Sequence, residues 1–276
     1  QTSGRIFWVA SAASYTVEGR TYSASDNNDG LSPERAVLTL DYAVGLTTAN
    51  VGDVIVLLPG AHSYSATVAV DVAGITITGI PGSAPVRGQR ANSSGTRNKA
   101  TLVNTATAGI ILTVTVADVE ISYLTFLPVA AGGRGISSSN AADRLYVHDC
   151  TFDLFGTASV TTYGITHPNS ITDPQDDLIV RNCLFRANAA QGSAINALGS
   201  ATSWIIEQCT FQRTGNDGGS AWADAILSSN AGTVGLTIRD CDFVNPTSAT
   251  TVITTAVNTT SQTIDASTVM CAFVQR

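Results

Sequence analysis

The sequence predicts an all-β chain wound as a parallel β-solenoid, with three short strands in each coil. Three observations carry that prediction. A Cys-x-Phe triplet recurs at Cys150, Cys183, Cys209, Cys241 and Cys271; it uses all five cysteines and steps by 33, 26, 32 and 30 residues. An alternating apolar pair precedes each of the first four triplets: Leu145 and Val147, Leu178 and Val180, Trp204 and Ile206, Leu236 and Ile238. A second ladder lies further upstream, Gly109-Ile110, Gly135-Ile136, Gly164-Ile165, Ala194-Ile195, Ala225-Ile226 and Ala256-Val257. Repeats of this length, built from short alternating segments without helical spacing, are the signature of stacked β coils.

Each element of the coil follows from its residues. Apolar residues at i and i+2 mark a strand with one buried face. The Cys comes three residues after the second apolar position, so the inward parity slips by one and a corner must intervene. The corner pairs are His148-Asp149, Arg181-Asn182, Glu207-Gln208 and Arg239-Asp240. Asp or Asn at the second corner position suits left-handed backbone; Ser122-Tyr123 and Val269-Met270 depart from that preference. Leu124-Thr125-Phe126 is an earlier copy of the triplet with Leu in the Cys place. Phe126, Phe152, Phe185, Phe211, Phe243 and Phe273 are therefore expected to form one core column, and the five cysteines another. An odd count in inward, Leu-equivalent positions argues for reduced core thiols rather than disulfides or a metal site, which fits assembly in a reducing cytoplasm.

The chain reads as a single domain, 1–276. Residues 1–60 form an N-terminal strand, cap and first coil, 61–108 are early coils with a basic loop at 83–99, and 109–276 are regular coils. The cap begins with Ile6-Phe7-Trp8-Val9, passes a polar stretch ending Asp26-Asn27-Asn28-Asp29-Gly30, and continues through Ser32-Pro33 into an amphipathic segment around Leu38, Leu40, Ala43, Val44 and Leu46. Gly52-Asp53-Val54-Ile55-Val56 and Pro59-Gly60 follow. A short helix here would seal the open end of the core. Ile75, Ile77 and Ile80 repeat the later spacing and predict an early coil.

This order, Asp-x-x-Asp-Gly-x-Ser-Pro, helix, then Gly-Asp and Pro-Gly, resembles the N-terminal cap of right-handed parallel β-helix proteins of the pectate-lyase-like superfamily. The resemblance runs from about residue 6 to the end. It implies a right-handed helix and leaves function open, because lyases, hydrolases, epimerases, phage tailspikes and inert virion proteins share the fold. In character the chain is most similar to phage virion spike and decoration proteins.

Charge and composition narrow the field. Only 13% of the residues are charged and the net charge is −7, which argues against general nucleic-acid affinity. No apolar run approaches the ~18–20 residues of a membrane span. No secretory signal is visible, and a start at Gln1 implies a processed or trimmed N-terminus. A surface poor in charge is expected to lie against other protein, as a homo-oligomer such as a trimer or against a capsid or tail protein.

Candidate sites fall in four places. Asp149 and Asp153, with Asp240 and Asp242 further along, are the candidates for paired-carboxylate chemistry, although Gln208 and Gln212 interrupt the acidic column. Outward positions beside the Gly/Ala ladder are expected to be small and neutral, Gly109 to Ala256 before the apolar residue and Ile111, Ser137, Thr166, Asn196, Leu227 and Asn258 after it. That leaves no carboxylate cluster for a lyase, and the Gly/Ala face is expected to meet another subunit. Trp222 with Asp217, Asp224 and Arg213, and His167 with Asp173, are candidates for stacking on and bonding to a glycan; the alternatives are a packed anchor and a surface turn. Arg87, Arg90, Arg97 and Lys99 can contact an acidic partner, or simply decorate a solvated loop. No metal or other cofactor is expected. The leading functional expectation is a non-enzymatic virion surface protein, and the alternative is a carbohydrate-active β-helix, either adhesin or polysaccharide lyase or hydrolase, at the virion or secreted to a cell surface.

Overall fold

The computed structural model describes residues 4–81, 99–105, 109–129, 132–154, 162–167, 175–187, 193–199, 201–213, 225–228, 235–245, 257–259 and 269–275. It is a right-handed parallel β-helix. Three parallel sheets run along its axis, and the chain visits them in turn. The first holds Ile6–Val9, Val54–Leu57, Thr76–Thr78, Glu120–Ser122, Tyr146–His148, Ile179–Arg181, Ile205–Glu207 and the start of Thr237–Asn245. The second holds Gly60–Tyr64, Ala100–Asn104, Leu124–Pro128, Thr151–Leu154, Leu184–Ala187, Thr210–Arg213 and the rest of Thr237–Asn245. The third runs from Val68–Val70 through Ile110–Val114, Arg134–Ser138, Tyr163–His167, Ile195–Ala197 and Ile226–Ser228 to Val257–Thr259. Val269–Gln275 lies along Thr237–Asn245.

The triplets stack as their spacing requires. Register pairs Phe126 with Phe152, Phe152 with Phe185, Phe185 with Phe211, and Phe211 with Phe243. The rings lie nearly parallel, 4.8, 4.7, 5.1 and 4.9 Å apart between centroids. Cys150, Cys183, Cys209 and Cys241 are free and buried, and Leu124 continues their position. Their sulfurs share one orientation, each 3.6–3.7 Å from a carbonyl of the preceding coil. Cys271 and Phe273 pair in backbone register with Cys241 and Phe243; their side chains lie outside the described residues.

The corners are left-handed, as Asp and Asn there imply. Tyr123, Asp149, Asn182, Gln208 and Asp240 have φ of 55°, 54°, 48°, 55° and 52°, so Tyr123 adopts the conformation despite its side chain. A second left-handed column stands two residues before the first-sheet strands, at Asp118, Arg144, Asp177 and Ser203. Coil-to-coil bonding continues through it: the N–H groups of Asp118, Arg144 and Asp177 donate to Asp143, Asp176 and Thr202 carbonyls at 2.9 Å.

At the N-terminal end, the helix Leu40–Leu46 closes the core with Leu40, Ala43 and Val44. Thr39 caps it, its hydroxyl accepting from the Tyr42 N–H at 3.2 Å, which satisfies one of the first-turn donors. Asp26 in turn accepts from the Leu38 and Thr39 N–H groups at 2.9 Å.

Three sequence expectations need correction. The Gly/Ala column does not face outward. Gly135, Gly164, Ala194 and Ala225 are buried, and a Cβ on Gly135 or Gly164 would come within 3.0 and 2.9 Å of the Phe152 and Phe185 rings. Small residues occur there because the aromatic column occupies the space. The first unit of that ladder was also displaced by two: Ile136 pairs with Leu112, not Ile110, so Ile111 is an interior residue of the column. Finally, Ile80 is exposed, and Ala100 takes the Leu124-equivalent place because the chain re-enters the second sheet only at residue 100.

Candidate functional site

The described polar side chains concentrate on the outward faces of the first and second sheets and the corner between them. Ser122, His148, Arg181, Glu207 and Arg239 follow one another in register along the first sheet, beside Glu120, Tyr146, Ile179, Ile205 and Thr237. Strand pleating sends both columns outward, because the intervening Ile121, Val147, Val180, Ile206 and Ile238 fill the core.

His148 is the centre of this corner. Its Nδ1 lies 2.7 Å from Asp149 Oδ2 and its Nε2 lies 3.0 Å from Glu120 Oε1. The Tyr146 ring stacks on the imidazole at 4.3 Å, and Tyr123 meets it edge-on at 5.9 Å. Asp149 also accepts from the Asn182 side-chain amide of the next coil. Burial pushes the Tyr123 phenol above its ordinary value, and the charges of Asp149 and Glu120 push the same way. One cluster thus ties three successive coils.

Asp153 stands outward on the second sheet with Arg186 as its register partner. The guanidinium donates from Nε and Nη2 to the two carboxylate oxygens at 2.6 and 2.5 Å. Both side chains are largely shielded, at 14% and 11% exposure. Burial raises the Asp153 carboxyl against the opposing pull of Arg186 and Lys99. On the first sheet, Glu207 sits between two arginines, 2.7 Å from Arg239 Nε and 3.4 Å from Arg181 Nε.

The remaining candidates are scattered. Asp240 is an exposed corner residue and Asp242 a half-buried outward one. His167 does not stand on a surface turn: it ends the strand Tyr163–His167, is fully buried, and lies edge-on to Trp204 at 5.9 Å. Trp204 in turn donates to the Gln175 carbonyl at 3.0 Å. Among the ladder's following residues, Ser137, Thr166 and Asn196 are buried. Arg213 belongs to the second sheet by its backbone. Its side chain, and Trp222, Asp217, Asp224, Asp173, Arg87, Arg90 and Arg97, lie outside the described residues. No group of three or more His, Cys, Asp or Glu side chains among the described residues is arranged to hold a metal ion.

Glu120, His148, Tyr123 and Tyr146 were missed in the sequence. The signal was present, because Ser122, His148, Arg181, Glu207 and Arg239 each follow the second apolar residue of a pair. Turning that spacing into a contact requires the coil register.

Comparison with known proteins adds a fold neighbour. No protein-family model matches the chain, and no curated protein matches it. Among solved structures it is similar to the crystal structure of pectate lyase Pel9A, with 13% identity and a TM-score of 0.46 over 88% of this chain and 69% of that one.

Proposed function

We propose that this chain is a non-enzymatic structural protein of a virion surface, a capsid decoration, head spike or tail fibre component that works as an oligomer. The observation that carries the reading is the outward face of the first sheet. Trp8, Val54, Val56, Ile179 and Ile205 stand there partly exposed, and Ile6 is 49% exposed. These residues form two apolar patches, Ile6, Trp8, Val54 and Val56 at the N-terminal end and Ile179 with Ile205 further along, separated by coils that carry Thr76, Glu120 and Tyr146. Exposed apolar patches are what a neighbouring subunit covers. The candidate acids support the same reading. Both oxygens of Asp153 are taken by Arg186 and both of Asp149 by His148 and Asn182. Groups held in this way tie coils together instead of meeting a substrate.

The test is an assembly measurement. Ile179→Arg with Ile205→Arg should convert the oligomer to a monomer in analytical ultracentrifugation, while circular dichroism and melting temperature stay unchanged. A parent protein that is monomeric at micromolar concentration defeats the reading.

A carbohydrate-active β-helix, adhesin or tailspike module, is the second reading. It draws on the Tyr123, Tyr146 and His148 rings beside Glu120, since aromatic faces with adjacent carboxylates suit sugar rings. Retention on immobilised cell-surface polysaccharide, lost in Tyr146→Ala, would favour it.

A further inference from the structure

We propose that His62 makes the N-terminal seal of the β-helix acid-sensitive: on acidification the first coil loosens from the column above it, while the aromatic stack from Phe126 onward stays wound. This is independent of the assembly reading of the first sheet.

His62 stands in the aromatic column itself. It is the inward residue of Gly60–Tyr64, the last strand of the second sheet at this end. Register stacks it on Leu102, and Leu102 on Phe126. The ring is 2% exposed. Its Nε2 lies 2.8 Å from the Leu58 carbonyl; a carbonyl only accepts, so Nε2 carries the proton and Nδ1 the lone pair. A second proton at Nδ1 would place a charge in an apolar column, which is costly without a counter-charge.

Among the described residues no acid acts on this ring. The neighbouring strand, Ala100–Asn104, has no titratable side chain. Lys99, whose carbonyl accepts from the Gly60 N–H at 3.0 Å, is a cation. On the same strand, Tyr64 has its phenol pushed up by burial and stays neutral. Asp26 acts on that phenol and is bonded to the Leu38 and Thr39 N–H groups. Asp41 and Tyr42 of the closing helix are exposed. Residues 82–98 contain no Asp or Glu. Burial accordingly pulls the His62 ring below the ordinary histidine value, against the smaller opposing effect of the Leu58 carbonyl. The neutral ring therefore contributes fully above about pH 6.5 and loses that contribution as pH falls below it. The loss falls on a terminal coil, which has a neighbour on one side only and opens with the least free energy.

The experiment is amide exchange of the full chain, read by mass spectrometry at about pH 7.5 and 5.5 and corrected for the intrinsic rate. If opening frees one imidazole to take one proton, exchange across Gly60–Tyr64 should rise up to about tenfold over that range. His62→Leu repeats the Leu102 side chain next in the column and should remove the rise. His62→Gln keeps an N–H for the Leu58 carbonyl, should do the same, and serves alone if the leucine variant does not fold. The difference between parent and variant should be confined to Gly60–Tyr64 and Ala100–Asn104 and be absent from Leu184–Ala187. Taking that difference removes any contribution of His167, which is buried in the third sheet. The proposal is overturned if exchange across Gly60–Tyr64 rises less than about twofold in the parent, if the rise persists in the variants, or if the difference extends equally to Leu184–Ala187.

Discussion

Replacing Phe185 by Ala tests the core column where it is most continuous. The ring is fully buried between Phe152 at 4.7 Å and 7°, and Phe211 at 5.1 Å and 6°. Truncating a buried Phe costs ~3–5 kcal/mol through lost transfer energy and the cavity left behind. Two ring pairs are lost as well, each worth ~0.5–1.5 kcal/mol beyond area burial. The coils on either side are fixed by parallel register, so the space cannot close easily, and the upper part of the cavity range, about 5 kcal/mol, is expected. Phe126→Ala is the internal control. Its register partner on one side is Phe152 and on the other Leu102, so it loses one ring pair and should cost about 1 kcal/mol less. Guanidinium unfolding followed by near- and far-ultraviolet circular dichroism measures both. Hydrogen exchange should show the loss concentrated in the strands carrying Phe152 and Phe211, because coils of a solenoid contact only their neighbours. A cost for Phe185→Ala within the ~0.5 kcal/mol typical of surface positions, or a larger cost for Phe126→Ala, would refute the reasoning.

Other predictions are checked more simply. Cys150, Cys183, Cys209 and Cys241 should label with a thiol reagent slowly in the native protein and rapidly in denaturant; fast native labelling of several would contradict the buried column. Asn182 has φ 48° and its side-chain amide donates to Asp149; Asn182→Val and Asn182→Gly both lose that bond, so Asn182→Val should be less stable than Asn182→Gly by about 1–2 kcal/mol, the cost of left-handed backbone for a branched side chain. Asp53 is fully buried; burial pulls its carboxyl up, but N–H donors from Arg5 and Thr48, both at 2.7 Å, and the Arg5 guanidinium bring it below its ordinary value. Its contribution is therefore present above the ordinary carboxylate range of about 4 and is lost as pH falls through the lowered value. Asp53→Asn should flatten that acid limb of stability against pH. Asp153, raised by burial, acts in the opposite sense, favouring the fold at low pH and losing that contribution as pH rises, so the comparison is made between parent and variant at each pH.

How much was legible in the sequence depended on whether a feature is carried by residue type. The cysteine and phenylalanine columns were readable because side chains of distinctive kind recur at one place in each coil. The corner at Asp149, Asn182 and Asp240 was readable because Asn and Asp tolerate left-handed backbone. The other corner column, Asp118, Arg144, Asp177 and Ser203, was not, since Arg144 and Ser203 interrupt the run of Asp and only the coil register brings the four positions into line. Gly164 and Ala194 were misplaced for a related reason: a small residue fits equally on a face packed against a subunit and in a space crowded by a phenyl ring. The site followed the same rule. Asp149 and Asp153 were visible as acids, but their commitment to His148, Asn182 and Arg186 lies in contacts across coils. His167 was read as part of a polar loop, when it is the last residue of a core strand.

The aromatic column also makes the length of this molecule a counted quantity. Each interior ring rests on one from the coil below and supports one from the coil above, and all of these contacts are of one kind. Duplicating or excising a whole coil therefore leaves every surviving ring with an equivalent neighbour and changes the axial length by a single step of ~4.8 Å. A change of a few residues within a strand has no such exit, because it moves a phenyl group out of its column. Descendants of such a chain can drift in height by whole storeys while their cross-section stays fixed.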